Sequence, residues 1–80
     1  MTLNEAIIKR IYEICAKKTI TLNKLSTICG ITQSTLNNIV SKKSLKPTVS
    51  TIKKICDGME IDLCDFFDTD YFKTLDQEIK

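Results

Sequence analysis

The stretch Thr21-Leu22-Asn23-Lys24-Leu25-Ser26-Thr27-Ile28-Cys29-Gly30-Ile31-Thr32-Gln33-Ser34-Thr35-Leu36-Asn37-Asn38-Ile39-Val40-Ser41 decides the fold. Thr21 and Thr32 each stand where a hydroxyl can accept the free amide N–H groups that open a helix. Gly30, between them, is the residue type best able to take a left-handed cap. The pattern predicts one helix over Leu22–Cys29 and a second, capped by Thr32, running to about Ser41. Leu25, Cys29, Ile31, Leu36 and Ile39 supply apolar positions, and Ser26 is small where the two helices approach. Two short helices joined by a three- or four-residue turn containing Gly form a helix-turn-helix.

The outer face of the second helix carries Gln33, Ser34, Thr35, Asn37 and Asn38. These side chains are short or planar hydrogen-bonding groups, without the Glu/Lys pairs usual on a solvated helix. Gln and Asn can bond adenine N6 and N7 together, and Ser and Thr accept several base partners. They stand toward the helix N-terminus, the part that enters the major groove in such motifs. All five are therefore expected to contact bases. Around them lie groups suited to phosphate: Lys24 on the first helix, Lys42, Lys43 and Lys46 just after the second, and the capped helix starts at Thr21 and Thr48.

Working outward, apolar spacing predicts a helix over residues 3–17, with Leu3, Ile7, Ile11, Ile14 and Cys15 on one stripe. Lys17 and Lys18 complement its dipole. Beyond the polar run Lys42-Lys43-Ser44-Leu45-Lys46-Pro47, Thr48 caps a helix whose stripe is Val49, Ile52, Ile55, Cys56 and Met59, with Gly58 near its end. Asp62 caps a short fifth helix holding Leu63, Phe66 and Phe67, with Asp65 at its third position. Residues 68–80 carry Tyr71, Phe72, Leu75 and Ile79 among acids, and read either as a short sixth helix or as a partly ordered tail. No segment alternates with strand period. The expectation is an all-α, compact five-helix bundle with a central helix-turn-helix over residues 1–67 and an acidic aromatic tail over 68–80.

Eighty residues allow one core, and a chain with 42% apolar and 28% charged residues, two Gly and one Pro is neither disordered nor fibrous. No apolar run approaches the roughly 20 residues that span a bilayer. The start, Met1-Thr2-Leu3-Asn4-Glu5, lacks a basic end and a long apolar stretch, so a cytoplasmic chain is expected. The net charge of +2 hides a division: residues 1–56 hold ten basic groups and two acids, a balance of +8, while residues 57–80 hold two basic groups and eight acids, a balance of −6. A basic body suits a polyanionic partner.

Histidine is absent, which removes the commonest general base and metal ligand. Cys15, Cys29, Cys56 and Cys64 form no Cys-x-x-Cys pair, and each falls at or beside an apolar position. They are read as small buried hydrophobes rather than ligands. Neither metal nor cofactor is expected, and no catalytic constellation is present.

Beyond the motif, Arg10-Ile11, Lys46-Pro47-Thr48-Val49-Ser50-Thr51-Ile52-Lys53-Lys54-Ile55-Cys56 and Met59-Glu60-Ile61-Asp62-Leu63-Cys64-Asp65-Phe66-Phe67 extend a resemblance to the phage-repressor and Cro-like helix-turn-helix domains, the Xre family, over about residues 7–67. The resemblance implies a bundle of the lambda-repressor-like type and a DNA-binding transcriptional regulator. It also implies that Gln33, Ser34 and Asn38 face bases, and that the helix starts at Thr21 and Thr48 and the loop after the recognition helix meet phosphate. Three positions depart from the pattern. Leu22 replaces a frequent Gln, Lys42 a frequent Gly, and Val40 a frequent Glu that pairs with the Arg at position 10, leaving Arg10 either free or paired with Glu13.

The expected function is sequence-specific binding of double-stranded DNA by a repressor. One recognition helix reads few base pairs, so a homodimer is expected on DNA, its surface formed by Phe66, Phe67, Tyr71 and Phe72. These rings equally suit capping of the chain's own core. The alternative is a protein-binding module on the same fold, an antitoxin or antirepressor, docking through residues 68–80.

Overall fold

In the computed structural model, residues 1–41 and 46–79 are described. They form α1 (Leu3–Lys18), α2 (Leu22–Cys29), α3 (Gln33–Val40), α4 (Val49–Met59) and α5 (Leu63–Phe67), followed by a 3₁₀ turn over Asp70–Lys73. The all-helical bundle is as the sequence leads one to expect, and among the described residues there is no strand.

Local capping chemistry sets the helix starts. Thr21, Thr32, Thr48 and Asp62 each accept, through the side chain, the backbone N–H three residues on. Thr2 does the same for α1 and completes a capping box, because Glu5 Oε1 accepts from the Thr2 N–H at 2.9 Å. The ends are less obvious. Gly30 takes the left-handed conformation, φ 68°, but so do Thr19 at 56° and Glu60 at 60°. Helix α4 therefore runs on through Gly58 to Met59 and closes at Glu60.

Gly58 serves packing instead. A Cβ there would lie 2.4 Å from Cys29 Sγ and 3.2 Å from Cys29 Cα, so α2 and α4 meet at this point because the side chain is missing. Gly→Ala in an open helix stabilises by about 1 kcal/mol. Gly58→Ala is expected to destabilise by about 1–3 kcal/mol instead, through overpacking. Combining it with Cys29→Ala should recover part of the loss. Urea unfolding of the two variants checks this, and a raised midpoint for Gly58→Ala alone would contradict the packing argument.

The core draws Ile7, Ile11, Ile14 and Cys15 from α1, Leu25 and Cys29 from α2, Leu36 and Ile39 from α3, and Ile52, Ile55, Cys56 and Met59 from α4. Ile31 of the turn and Phe66 of α5 complete it. Two expected members are not buried: Leu3 is 36% exposed and Val49 69% exposed. Each is the first residue of its helix. Cys15, Cys29 and Cys56 are buried hydrophobes as read, and burial pushes all three thiols up. Cys64 corrects that reading, since it is exposed. With Leu63, Phe66 and Phe67 packed inward at three- and four-residue spacing, position 64 of α5 turns out to solvent.

After α5 the chain folds back along α1. The Tyr71 hydroxyl donates to Glu13 Oε1, Lys9 Nζ stands 4.6 Å above the Tyr71 ring, and the Asp76 N–H bonds the Met1 carbonyl at 3.0 Å. Burial and the Glu13 carboxylate push the Tyr71 phenol up to about 12, which keeps it protonated as a donor at ordinary pH. Of the two readings open for this segment, a sixth helix or a partly ordered tail, the first half is a single 3₁₀ turn. Arg10 joins α1 to α5: its Nε donates to Phe66 O at 2.7 Å and its Nη2 to Asp65 O at 2.9 Å. Its Nη1 lies 3.6 Å from Glu13 Oε1. The local pair with Glu13 was one of two expectations; the cap on α5 was not foreseen.

Candidate nucleic-acid interface

The α2–turn–α3 unit takes one left-handed residue, and it is a glycine. Gly30 sits at φ 68° with nothing within 4 Å of where a Cβ would be, so backbone conformation rather than space asks for glycine. The Ile31 N–H reaches back to Ser26 O at 3.0 Å and closes the turn. Ser26 is 2% exposed, and its hydroxyl donates to Asn23 O at 2.7 Å, so the small residue at the helix contact is satisfied within its own helix. Leu25, Cys29, Ile31, Leu36 and Ile39 are all buried, as the motif requires.

This packing turns the rest of α3 outward. Gln33, Ser34, Asn37 and Asn38 are exposed, on one face at helical spacing, while Leu36 and Ile39 point into the core. None of these four side chains is hydrogen-bonded among the described residues. Thr35 differs from them: it is half-buried, its N–H donates to Thr32 Oγ1 at 3.1 Å, and its hydroxyl accepts from Thr32 at 2.8 Å. That side chain belongs to the cap of α3. The outward stripe continues instead to Ser41, four residues after Asn37, which the sequence reading passed over although the i+4 spacing signalled it.

Of the residues read as phosphate partners, Thr21, Lys24, Lys46 and Thr48 are exposed. Thr21 Oγ1 accepts the Lys24 N–H at 3.1 Å, and Thr48 Oγ1 accepts the Thr51 N–H at 3.1 Å, which caps the first turns of α2 and α4. Lys42 and Lys43 lie outside the described residues. From residue 21 to residue 41 Lys24 is the one charged side chain, so no carboxylate on the motif opposes a polyanion.

The aromatic group lies elsewhere. Phe66 is 0% exposed and belongs to the core. Phe67 and Phe72 are half-buried against that core, and the Phe67 ring meets Phe66 and Phe72 edge-on at 4.9 and 5.0 Å. Tyr71, also half-buried, is held by Glu13 and Lys9. Among the described residues no helix is long and apolar enough to cross a membrane, and no group of three or more His, Cys, Asp or Glu side chains is placed to hold a metal ion.

A buried small residue at the helix contact, a left-handed glycine turn and an outward amide face on the second helix are the geometry of a DNA-reading helix pair. The family of Cro/C1-type helix-turn-helix DNA-binding domains matches residues 10–70. The chain belongs to this family. The Cro/C1-type match runs through α5 and into the 3₁₀ turn, and so takes in Arg10 at one end and its carbonyl partners at the other. A solved structure, the prophage Lp1 protein 11, is similar to this chain with a TM-score of 0.83 and 31% identity, covering 94% of this chain and 99% of its own. No curated protein matches the chain. As a Cro/C1-type domain the protein is a DNA-binding module, and its candidate reading surface is the exposed face of α3.

Proposed function

We propose that the chain is a sequence-specific, double-stranded DNA-binding transcriptional regulator that acts as a repressor, lodging α3 in the major groove. The observation that carries this reading is the uncharged face of Gln33, Ser34, Asn37 and Asn38, exposed and unbonded on a helix whose opposite side is locked into the core. Side chains carried on a rigid element read base edges with little loss of backbone freedom on binding. Lys24, Lys46 and the helix starts at Thr21 and Thr48, together with Lys42 and Lys43, supply phosphate contacts that set the register. Thr35 supports α3 through its cap, and any base contact it makes is secondary.

In this reading residues 1–67 bind DNA, and two copies sit on half-sites about 34–36 Å apart. The outer edges of Phe67, Tyr71 and Phe72 provide the contact between copies, while Phe66 holds them from inside the core. The protein is a binder and not an enzyme, and works without a cofactor.

Fluorescence anisotropy with the duplex just upstream of the protein's own gene, and with a scrambled duplex, across a salt series tests the reading. Gln33→Ala is expected to cost about 1–3 kcal/mol on the preferred duplex and little on the scrambled one. Lys46→Ala should weaken both alike and reduce the salt slope by about 1. Equal losses for both variants on both duplexes would overturn the assigned roles. Absence of binding to either at low salt would turn the reading toward the protein-docking module built on residues 68–80.

A further inference from the structure

Resting on that DNA-binding reading, we propose that α3 reads adenine, and that the half-site is centred on A·T pairs with no guanine contact from this helix. Each base pair offers a distinct major-groove pattern, and side chains divide the work: Arg or Lys takes guanine O6 and N7, Asp or Glu accepts from cytosine N4, and Asn or Gln takes adenine N6 and N7 together. On the exposed face of α3 the only groups able to make a paired contact are the amides of Gln33, Asn37 and Asn38.

The charged residues that would read guanine and cytosine are absent from this face or engaged. Arg10 is the only arginine in the chain. Its guanidinium bonds Phe66 O at 2.7 Å and Asp65 O at 2.9 Å, lies 3.6 Å from Glu13, and is 16% exposed. The guanidinium fork is therefore fixed within the bundle. No lysine occurs between residues 25 and 41, and no carboxylate between residues 14 and 56. Cytosine thus meets no carboxylate on this surface, and guanine meets no cation on α3. Gln33 and Asn37 stand four residues apart, about 6 Å along the helix at about 1.5 Å per residue, which spans roughly two base steps of about 3.4 Å. Adenines are expected within about two steps of one another.

The experiment selects binding duplexes from a pool with a randomised central region, then remakes the enriched duplex with 7-deazaadenine or 7-deazaguanine, which remove the N7 acceptor and leave pairing intact. The expected result is an A·T-centred half-site, a loss of at least about 5-fold per 7-deazaadenine in that half-site, and no response to 7-deazaguanine. The 7-deazaadenine penalty should vanish at one position in Gln33→Ala. A G·C-centred site, or a loss on 7-deazaguanine within the segment facing α3, overturns the proposal. So does an A·T-rich site indifferent to 7-deazaadenine, because that result points to groove shape rather than base edges. Failure to enrich any duplex, with no salt-dependent binding, overturns the DNA-binding reading itself, which is a separate result.

Discussion

Phe66→Ala is expected to lower stability by about 3–5 kcal/mol, the range for deleting a buried aromatic ring. Domains carry roughly 0.05–0.15 kcal/mol per residue, so for a chain of this size the loss is about a quarter of the total or more. The ring is wholly buried and packs against Phe67 edge-on at 4.9 Å and against Phe72 at 6.4 Å. Its removal leaves a void where α5 and the 3₁₀ turn close on the bundle. Urea unfolding followed by far-UV circular dichroism measures this. The loss should be the same across a wide range of protein concentration, because the ring is buried in its own chain. A loss that appears only where copies associate would mean that Phe66 acts between subunits instead. A loss below about 1 kcal/mol would contradict the burial argument.

The second large effect is at Arg10. Arg10→Met keeps the apolar stem and removes every donor, and is expected to cost about 2–4 kcal/mol, since charge-assisted hydrogen bonds contribute about 1.5–3 kcal/mol and their loss strands carbonyls at the end of α5. Lysine should restore little, because a single ammonium cannot bridge Phe66 O, Asp65 O and the Glu13 carboxylate as the planar fork does. Amide hydrogen exchange is the sharper measurement. In Arg10→Met the amides of α5 and of the 3₁₀ turn should exchange faster, while those of α2 and α3 keep their order relative to the rest. If Arg10→Lys matches the natural protein in both stability and exchange, the fork geometry is irrelevant.

These two residues show which part of the molecule was legible in its sequence. Helix starts were, because Thr21, Thr32, Thr48 and Asp62 act on amides three residues away. So was the motif, whose positions all fall within residues 21–41. The helix ends at Thr19 and Glu60 were not, since non-glycine residues in the left-handed region are held by the packing that follows them. Gly58, placed near the end of its helix, is a contact with Cys29 that no local pattern signals, and the Arg10 cap spans 56 residues. In the candidate site the outward amides were readable from periodicity. Thr35 was placed among them because composition does not distinguish a hydroxyl facing a base from one that caps its own helix.

The Arg10 link also orders events in time. On a ribosome adding roughly 5–20 residues per second, the guanidinium emerges about 3–11 seconds before the Phe66 carbonyl that it will hold. Through that interval the rest of α1 and then α2 to α4 are made while the carbonyls that Arg10 will hold do not yet exist. The DNA-reading pair is thus synthesised early and secured late. A chain stalled before residue 66 would carry α3 on a body that lacks its Arg10 latch.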